Sequence, residues 1–223
     1  AQLEGRHKAG GGNALRAAVL GANDGLVSIL SLTMGVAGAT NSRPDILIAG
    51  LAGVLAGAGS MALGEWLSVQ SSRELYEHQI KIEAEEIAES PEEEQEELAL
   101  IYQSKGLPED RAREMAAHMM ADTANILDTL AREELGIDPE ELGGSAYEAA
   151  FTSFFLFAFG ALFPMIPYFF VGGTQAILLS LVVSAVGLFI IGAAITLMTG
   201  KSVWFSGTRQ VLVGIVAAAL TYG

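Results

Sequence analysis

The chain of 223 residues contains no cysteine. Disulfides, thiolate metal sites and cysteine nucleophiles are therefore excluded, and any bound cation must rest on oxygen, imidazole or thioether donors. Basic residues are scarce, with 12 Lys/Arg against 26 Asp/Glu and a net charge of −14. Such a chain repels the phosphates of nucleic acid. No Gly-x-x-x-x-Gly-Lys-Ser/Thr loop occurs, which argues against an ATP-driven pump within this chain, and no recognisable nucleophile motif supports a membrane enzyme. No secretory signal is apparent, because Ala1 to Gly12 is polar and glycine-rich. The chain begins with alanine rather than methionine, which suggests a domain upstream.

Apolar sequence dominates instead. Hydrophobic residues make up 51% of the chain, mean hydropathy is +0.42 and glycine occurs 26 times, a composition suited to helices packed in lipid. Ala14 to Ala39 is apolar apart from Arg16, Asn23 and Asp24, long enough to span a hydrocarbon layer of roughly 30 Å. A turn over Thr40 to Asp45 precedes a second span, Ile46 to Gln70, whose one charge is Glu65. Charge is absent from Ala149 to Gly200, where two spans meet near Gly172, and Val203 to Gly223 gives a fifth. The expected fold is all-α: a polytopic membrane protein of five transmembrane helices with a helical insert between helices two and three. Its expected parts are an N-terminal tail (1–13), helices one and two (14–70), the acidic insert (71–148) and helices three to five (149–223).

The insert holds 22 of the 26 acidic residues but only 6 of the 12 basic ones. Its composition favours helix, with breaks at Ser90-Pro91, at Gly106-Leu107-Pro108 and at Gly136-Ile137-Asp138-Pro139. Ser90 before Pro91 reads as a helix-capping residue. With a cytoplasmic amino terminus, the short segments place Arg6, Lys8, Arg16, Lys201 and Arg209 inside and only Arg43 outside. The positive-inside rule then puts the insert in the cytoplasm.

Asp24 and Glu65 are the acidic residues within expected spans, where a carboxylate usually faces a bundle interior or water path. Met61 lies one turn before Glu65 and adds a soft thioether. The plain alternatives are that Asp24 caps a helix broken at Gly25, that Glu65 lies at the membrane surface, and that Met61 faces lipid. In the insert, Glu83 and Glu86 are three apart, as are Glu94 and Glu97, on either side of the Ser90-Pro91 break. A hairpin there folds the pairs toward one another, and Glu134 can join them; clustered like charges call for cations. The plain alternative is a solvated acidic face. His7, His78 and His118 lack zinc-site spacing, and no Glu-x-x-His element of a di-iron bundle occurs.

Four stretches carry a family resemblance: Asn23-Asp24-Gly25-Leu26; Gly59-Ser60-Met61-Ala62-Leu63-Gly64-Glu65-Trp66-Leu67; the glutamate-rich insert; and Phe163-Pro164-Met165-Ile166-Pro167-Tyr168. In these the chain resembles the vacuolar iron transporter family over essentially its whole length. The resemblance implies a homodimer of five-span subunits that exchanges cytosolic ferrous iron, manganese and related divalent ions for protons. It implies a transport path at Asp24 and Met61 and metal binding at Glu83, Glu86, Glu94, Glu97 and Glu134. Two departures stand out. Leu130 and Ala131 occupy positions that are methionine in plant members, and Gly53 stands where those have glutamate while Glu65 stands where they have glycine. The wording around Asp24 and the Arg6-His7-Lys8 tail is similar to bacterial relatives that carry a ferritin-like domain upstream.

The expected function is therefore divalent metal transport, iron first and manganese next, with zinc and cobalt as further substrates, by proton antiport out of the cytoplasm. The path would use Asp24, Met61 and Glu65, and the expected site is a bacterial inner membrane. The rivals are a metal sensor or storage-associated module that binds without transport, and a membrane-interaction protein whose acidic insert docks a basic partner.

Overall fold

The computed structural model describes residues 10–40, 42–122, 125–136 and 145–223. The expected tail over residues 1–9, with His7, and the helix stop at Ile137 to Pro139 lie outside these residues. Eight helices and no strand occur among the described residues: α1 (Gly10–Ala39), α2 (Arg43–Glu89), α3 (Pro91–Ser104), α4 (Glu109–Ala121), α5 (Ile126–Glu133), α6 (Ala146–Phe170), α7 (Gly173–Thr199) and α8 (Val203–Tyr222). Five of them, α1, α2, α6, α7 and α8, are long and apolar enough to cross a membrane. This is the polytopic helical architecture expected from hydropathy. The chain divides into two compact units, residues 1–65 with 147–223, and residues 66–146.

In the first unit α1 packs against both α7 and α8. Its buried positions Val19, Ala22, Leu26, Leu30 and Met34 recur at helical spacing and meet Leu188, Ile191 and Ala218, while Ala37 packs with Ile46, Tyr168 and Ala176. Side chains such as Leu55, Phe155, Val182, Ile190 and Leu220 point outward. Exposed apolar residues on spanning helices are the lipid-facing surface. Between spanning helices there is little hydrophobic driving force, so close approach of small residues carries the packing. A Cβ at Gly25 would stand 2.0 Å from the Phe157 carbonyl oxygen, and one at Gly160 would stand 1.9 Å from that of Ala22. Helices α1 and α6 thus touch backbone to backbone. The proposal of a helix broken at Gly25, with Asp24 as its cap, is overturned: α1 is continuous there, and Gly25 is needed for contact rather than for a turn.

Pro164 and Pro167 lie inside α6 rather than interrupting it. The Ser180 hydroxyl of α7 donates to the Pro164 carbonyl at 2.8 Å, a buried hydrogen bond between two spans. Arg43, counted above only as an outside charge, caps the other end of α6. Its guanidinium donates to the carbonyls of Tyr168, at 2.6 Å, and of Phe169. Those carbonyls have no acceptor role left within the helix.

The second unit is a small bundle in which α3 packs on α4 and α5 closes the core. Leu98, Ala99, Tyr102, Ala112, Ala116, Ile126 and Leu130 are buried together, with Ile87 of α2 against them. Ser90 stands at the start of α3, but its side chain makes no cap hydrogen bond. Its carbonyl accepts from the amides of Glu93 and Glu94 instead, and Pro91 fixes the entry.

The glycine contacts generate a test. Gly160→Val forces α1 and α6 apart, and overpacking of this kind costs about 1–3 kcal/mol or more. Its thermal midpoint in detergent is expected to fall by several degrees. Gly59→Ala, where no atom lies within 4 Å of an added Cβ, is expected to unfold like the parent protein.

Candidate metal centre and membrane cavity

Each unit gathers polar side chains in one place. In the helical bundle of residues 66–146, Glu83, Glu94 and Glu134 each bring a carboxylate oxygen within 4.8 Å of the others. They come from α2, from the first turn of α3 and from the residue after α5. Each stands one helical turn from an apolar residue of the core: Glu83 from Ile87, Glu94 from Leu98, and Glu134 from Leu130. The carboxylates therefore continue the buried faces of their helices, as a polar layer on the end of the hydrophobic core. Glu83 is 2% exposed and Glu94 is 6% exposed. Glu83 Oε1 and Glu134 Oε2 are buried without a hydrogen-bond partner.

Three like charges in so dry a place oppose their own ionisation. Burial, followed by the charges of Glu134, Glu94 and Glu86 and a hydrogen bond to Glu94, pushes the Glu83 carboxyl up to about 7. Burial also raises Glu94, aided by Glu86 and Glu97, and raises Glu134, aided by Glu97, Glu94 and Glu86. Of the five insert glutamates singled out in the sequence, three converge. Glu86 and Glu97 remain exposed; the charge of Glu86 is felt by all three, and that of Glu97 by Glu94 and Glu134. The donor set is all oxygen and anionic, which suits a divalent cation. Lys105 pairs with Glu133, the neighbour of Glu134, and so ties the end of α5 to α3.

In the unit that includes the spans, Asp24, Ser28, Ile29, Leu32, Gly53, Gly57, Ser60, Met61 and Phe157 line a cavity of about 370 Å³. Asp24 and Ser28 are one turn apart on α1, and the serine hydroxyl lies 3.5 Å from the Asp24 carboxylate. Met61 of α2 shares the cavity, so hard and soft donors line one space. Glu65 is half-buried one turn beyond Met61 and is not among the lining residues. Small residues let its walls close up, because Gly53 and Gly57 face Leu32 and Phe157 at distances that leave no space for a Cβ.

Sequence reasoning did not single out Ser28, Ser60 or Phe157. The signal for Ser28 was its place four residues after Asp24, and for Ser60 its place beside Met61. Asn23 was passed over too. It accepts a hydrogen bond from Gln210 of α8, an interhelical amide pair in apolar surroundings.

A lipid-exposed helical unit with a cavity beside an intramembrane aspartate, together with an acidic bundle holding clustered carboxylates, defines a polytopic membrane protein equipped to handle cations. The chain belongs to the VIT family, whose profile matches residues 15–223. It is 32% identical over 216 residues to vacuolar iron transporter 1 of Oryza sativa subsp. japonica, covering 95% of this chain and 84% of that protein. It is 36% identical over 227 residues to the vacuolar iron transporter of Acanthamoeba castellanii, covering 98% and 80%. Against vacuolar iron transporter 1 of Arabidopsis thaliana it is 32% identical over 215 residues, covering 95% and 84%.

The carboxylate cluster predicts an inverted pH response. A carboxyl held near 7 in the fold, against an ordinary 4.5, binds its proton more tightly folded than unfolded. The metal-free bundle should therefore gain stability as pH falls from 8 through 7 toward 4.5, with no further gain from Glu83 below that. Limited proteolysis of the metal-free protein checks this. Glu83→Gln should protect the bundle at pH 8, by on the order of 1–3 kcal/mol, and make no difference at pH 4.5.

Proposed function

We propose that this protein moves divalent metal, ferrous iron first, across the membrane, and that the acidic bundle collects the ion before it enters the spans. The observation that carries this is the convergence of Glu83, Glu94 and Glu134 with buried carboxylate oxygens that lack partners. A dry anionic cluster is costly unless protons or a cation neutralise it. The relatives' names, vacuolar iron transporter, support iron as that cation.

In this scheme Glu86 and Glu97 attract hydrated ions to the mouth of the cluster, and Glu83, Glu94 and Glu134 bind them. Asp24 and Met61 receive the ion in the membrane cavity, and Glu65, one turn along α2, takes up the counter-proton. Manganese, zinc and cobalt follow as substrates that the same oxygen and thioether donors accept. Residues 71–148 serve as the cytoplasmic metal-binding part and residues 14–70 and 149–223 as the transmembrane part. The distribution of basic residues in the short segments supports that orientation. The chain works as a homodimer by proton antiport out of the cytoplasm, in a bacterial plasma membrane. A second reading, a sensor or storage-associated module, differs by binding metal without flux.

Two measurements test the scheme. In proteoliposomes with an imposed pH gradient, ferrous uptake should fall roughly tenfold or more for Asp24→Ala, a loss on the scale of disturbed metal sites. Unchanged uptake would remove Asp24 from the path, and intact binding with no flux in the parent protein would select the sensor. By calorimetry on the metal-free full chain, Glu94→Gln with Glu134→Gln should abolish the tightest divalent binding, whereas Glu86→Gln with Glu97→Gln should weaken it less. Equal effects of the two pairs would return the cluster to a solvated acidic face.

A further inference from the structure

The segment between α7 and α8 joins two spanning helices and so lies at a membrane face. It carries Lys201, and Arg209 follows on α8; no other basic residue occurs from Ala149 to Gly223. The two flank one ring. Lys201 Nζ and Arg209 Cζ each lie 5.9 Å from the centre of the Phe205 ring. Phe205 and Arg209 are one turn apart on one face of α8, and Lys201 reaches the same ring from the residues just before the helix. Arg209 begins about 9 Å along α8 from Val203, at roughly 1.5 Å per residue. Its guanidinium folds back over Phe205, toward the helix start, as a long cationic side chain does when its stem lies in the apolar layer and its head seeks the surface.

Both cations are exposed, and neither forms an ion pair among the described residues. Val203, Trp204 and Phe205 beside them are exposed as well, and Trp204 stacks at its edge on Phe189 with ring centres 5.5 Å apart. Exposed aromatics at the end of a spanning helix belong to the interfacial belt. Two like charges gathered at one ring at that depth repel each other, and an anion beside them relieves that repulsion. The polar groups that a membrane offers at this level are phospholipid headgroups, and the acidic ones carry the fitting charge.

We infer that Lys201, Phe205 and Arg209 form a binding site for the phosphate of an anionic phospholipid, with Trp204 against its acyl chain. The site is independent of metal handling, and its occupant anchors the start of α8 at the interface.

Trp204 supplies the probe, since the chain has 2 tryptophans and Trp66→Phe leaves it alone. The full chain is reconstituted in phosphatidylcholine vesicles that contain either brominated phosphatidylglycerol or brominated phosphatidylcholine, and Trp204 quenching is followed against quencher fraction. Anionic quencher should act at a fraction lower by about twenty-five-fold, about fivefold for each of the two cations. Lys201→Gln with Arg209→Gln should abolish the preference, and Lys201→Arg should keep it, which separates loss of charge from loss of fold. Equal quenching by the two lipids, or a preference that survives in the double variant, overturns the site. Relief of the anionic preference by millimolar inorganic phosphate would identify a free-anion site and overturn the lipid assignment.

Discussion

Mutual repulsion among Glu83, Glu94 and Glu134 is the constraint on which the acidic bundle turns. Each carboxylate occupies a position where its helix pattern calls for an apolar residue, and the apolar residues one turn away are fully engaged in the core. Burial of Leu98, Ala112, Ala116 and Leu130 thus holds the acids together against their charge. Local stability is given up here, as at many sites where local rules are broken. Without a cation, burial and the neighbouring charges raise the Glu83 carboxyl to about 7, so it holds its proton more tightly than an ordinary carboxyl does. A divalent ion bound there would compete with that proton, so in the proposed scheme binding would be coupled to proton release.

In the spanning unit the opposing demands are met differently. A carboxylate in an apolar layer needs a polar or hydrated space, and close packing of small residues makes one. Gly25 and Gly160 bring α1 and α6 into backbone contact, which fixes one side of α1. On another side Gly53 and Gly57 let α2 approach Leu32 and Phe157, and the cavity at Asp24 is bounded by these same residues. The glycines therefore shape the space around the charge as well as packing the helices.

Most of the fold was legible in the sequence because hydropathy over twenty residues is a strong signal: every spanning helix could be placed from it. Punctuation was less reliable. Ser90-Pro91 marked the turn correctly, yet Ser90 caps through its carbonyl rather than its hydroxyl, a choice set by local backbone geometry that composition does not encode. Gly25 looked like a break beside Asp24, whereas only the packing partner on α6 explains it. At the carboxylate cluster, pairs three apart were visible, but which member of each pair turns inward was not. The register of Ile87, Leu98 and Leu130 decides that, and it was open to reading as helical periodicity in α2, α3 and α5. Glu65 shows the converse limit. Spacing of four from Met61 puts both on one side of α2, but a cavity with a boundary between them separates their surroundings.

The two sites differ in donor chemistry, and that difference bears on where selectivity arises in the proposed transport. An all-carboxylate cluster would bind calcium and magnesium through the same hard oxygens as ferrous iron or manganese, so its charge would give it little power to choose among them. Leu130 and Ala131 add no soft donor beside Glu134. Met61 is the thioether that lines the Asp24 cavity, and a polarizable sulfur favours transition metals over alkaline earths. Collection would then be permissive and passage selective. Such an order fits a bundle whose acidity raises the local concentration of any divalent cation: abundant ions can occupy the cluster, but only those that accept sulfur beside oxygen gain by moving on.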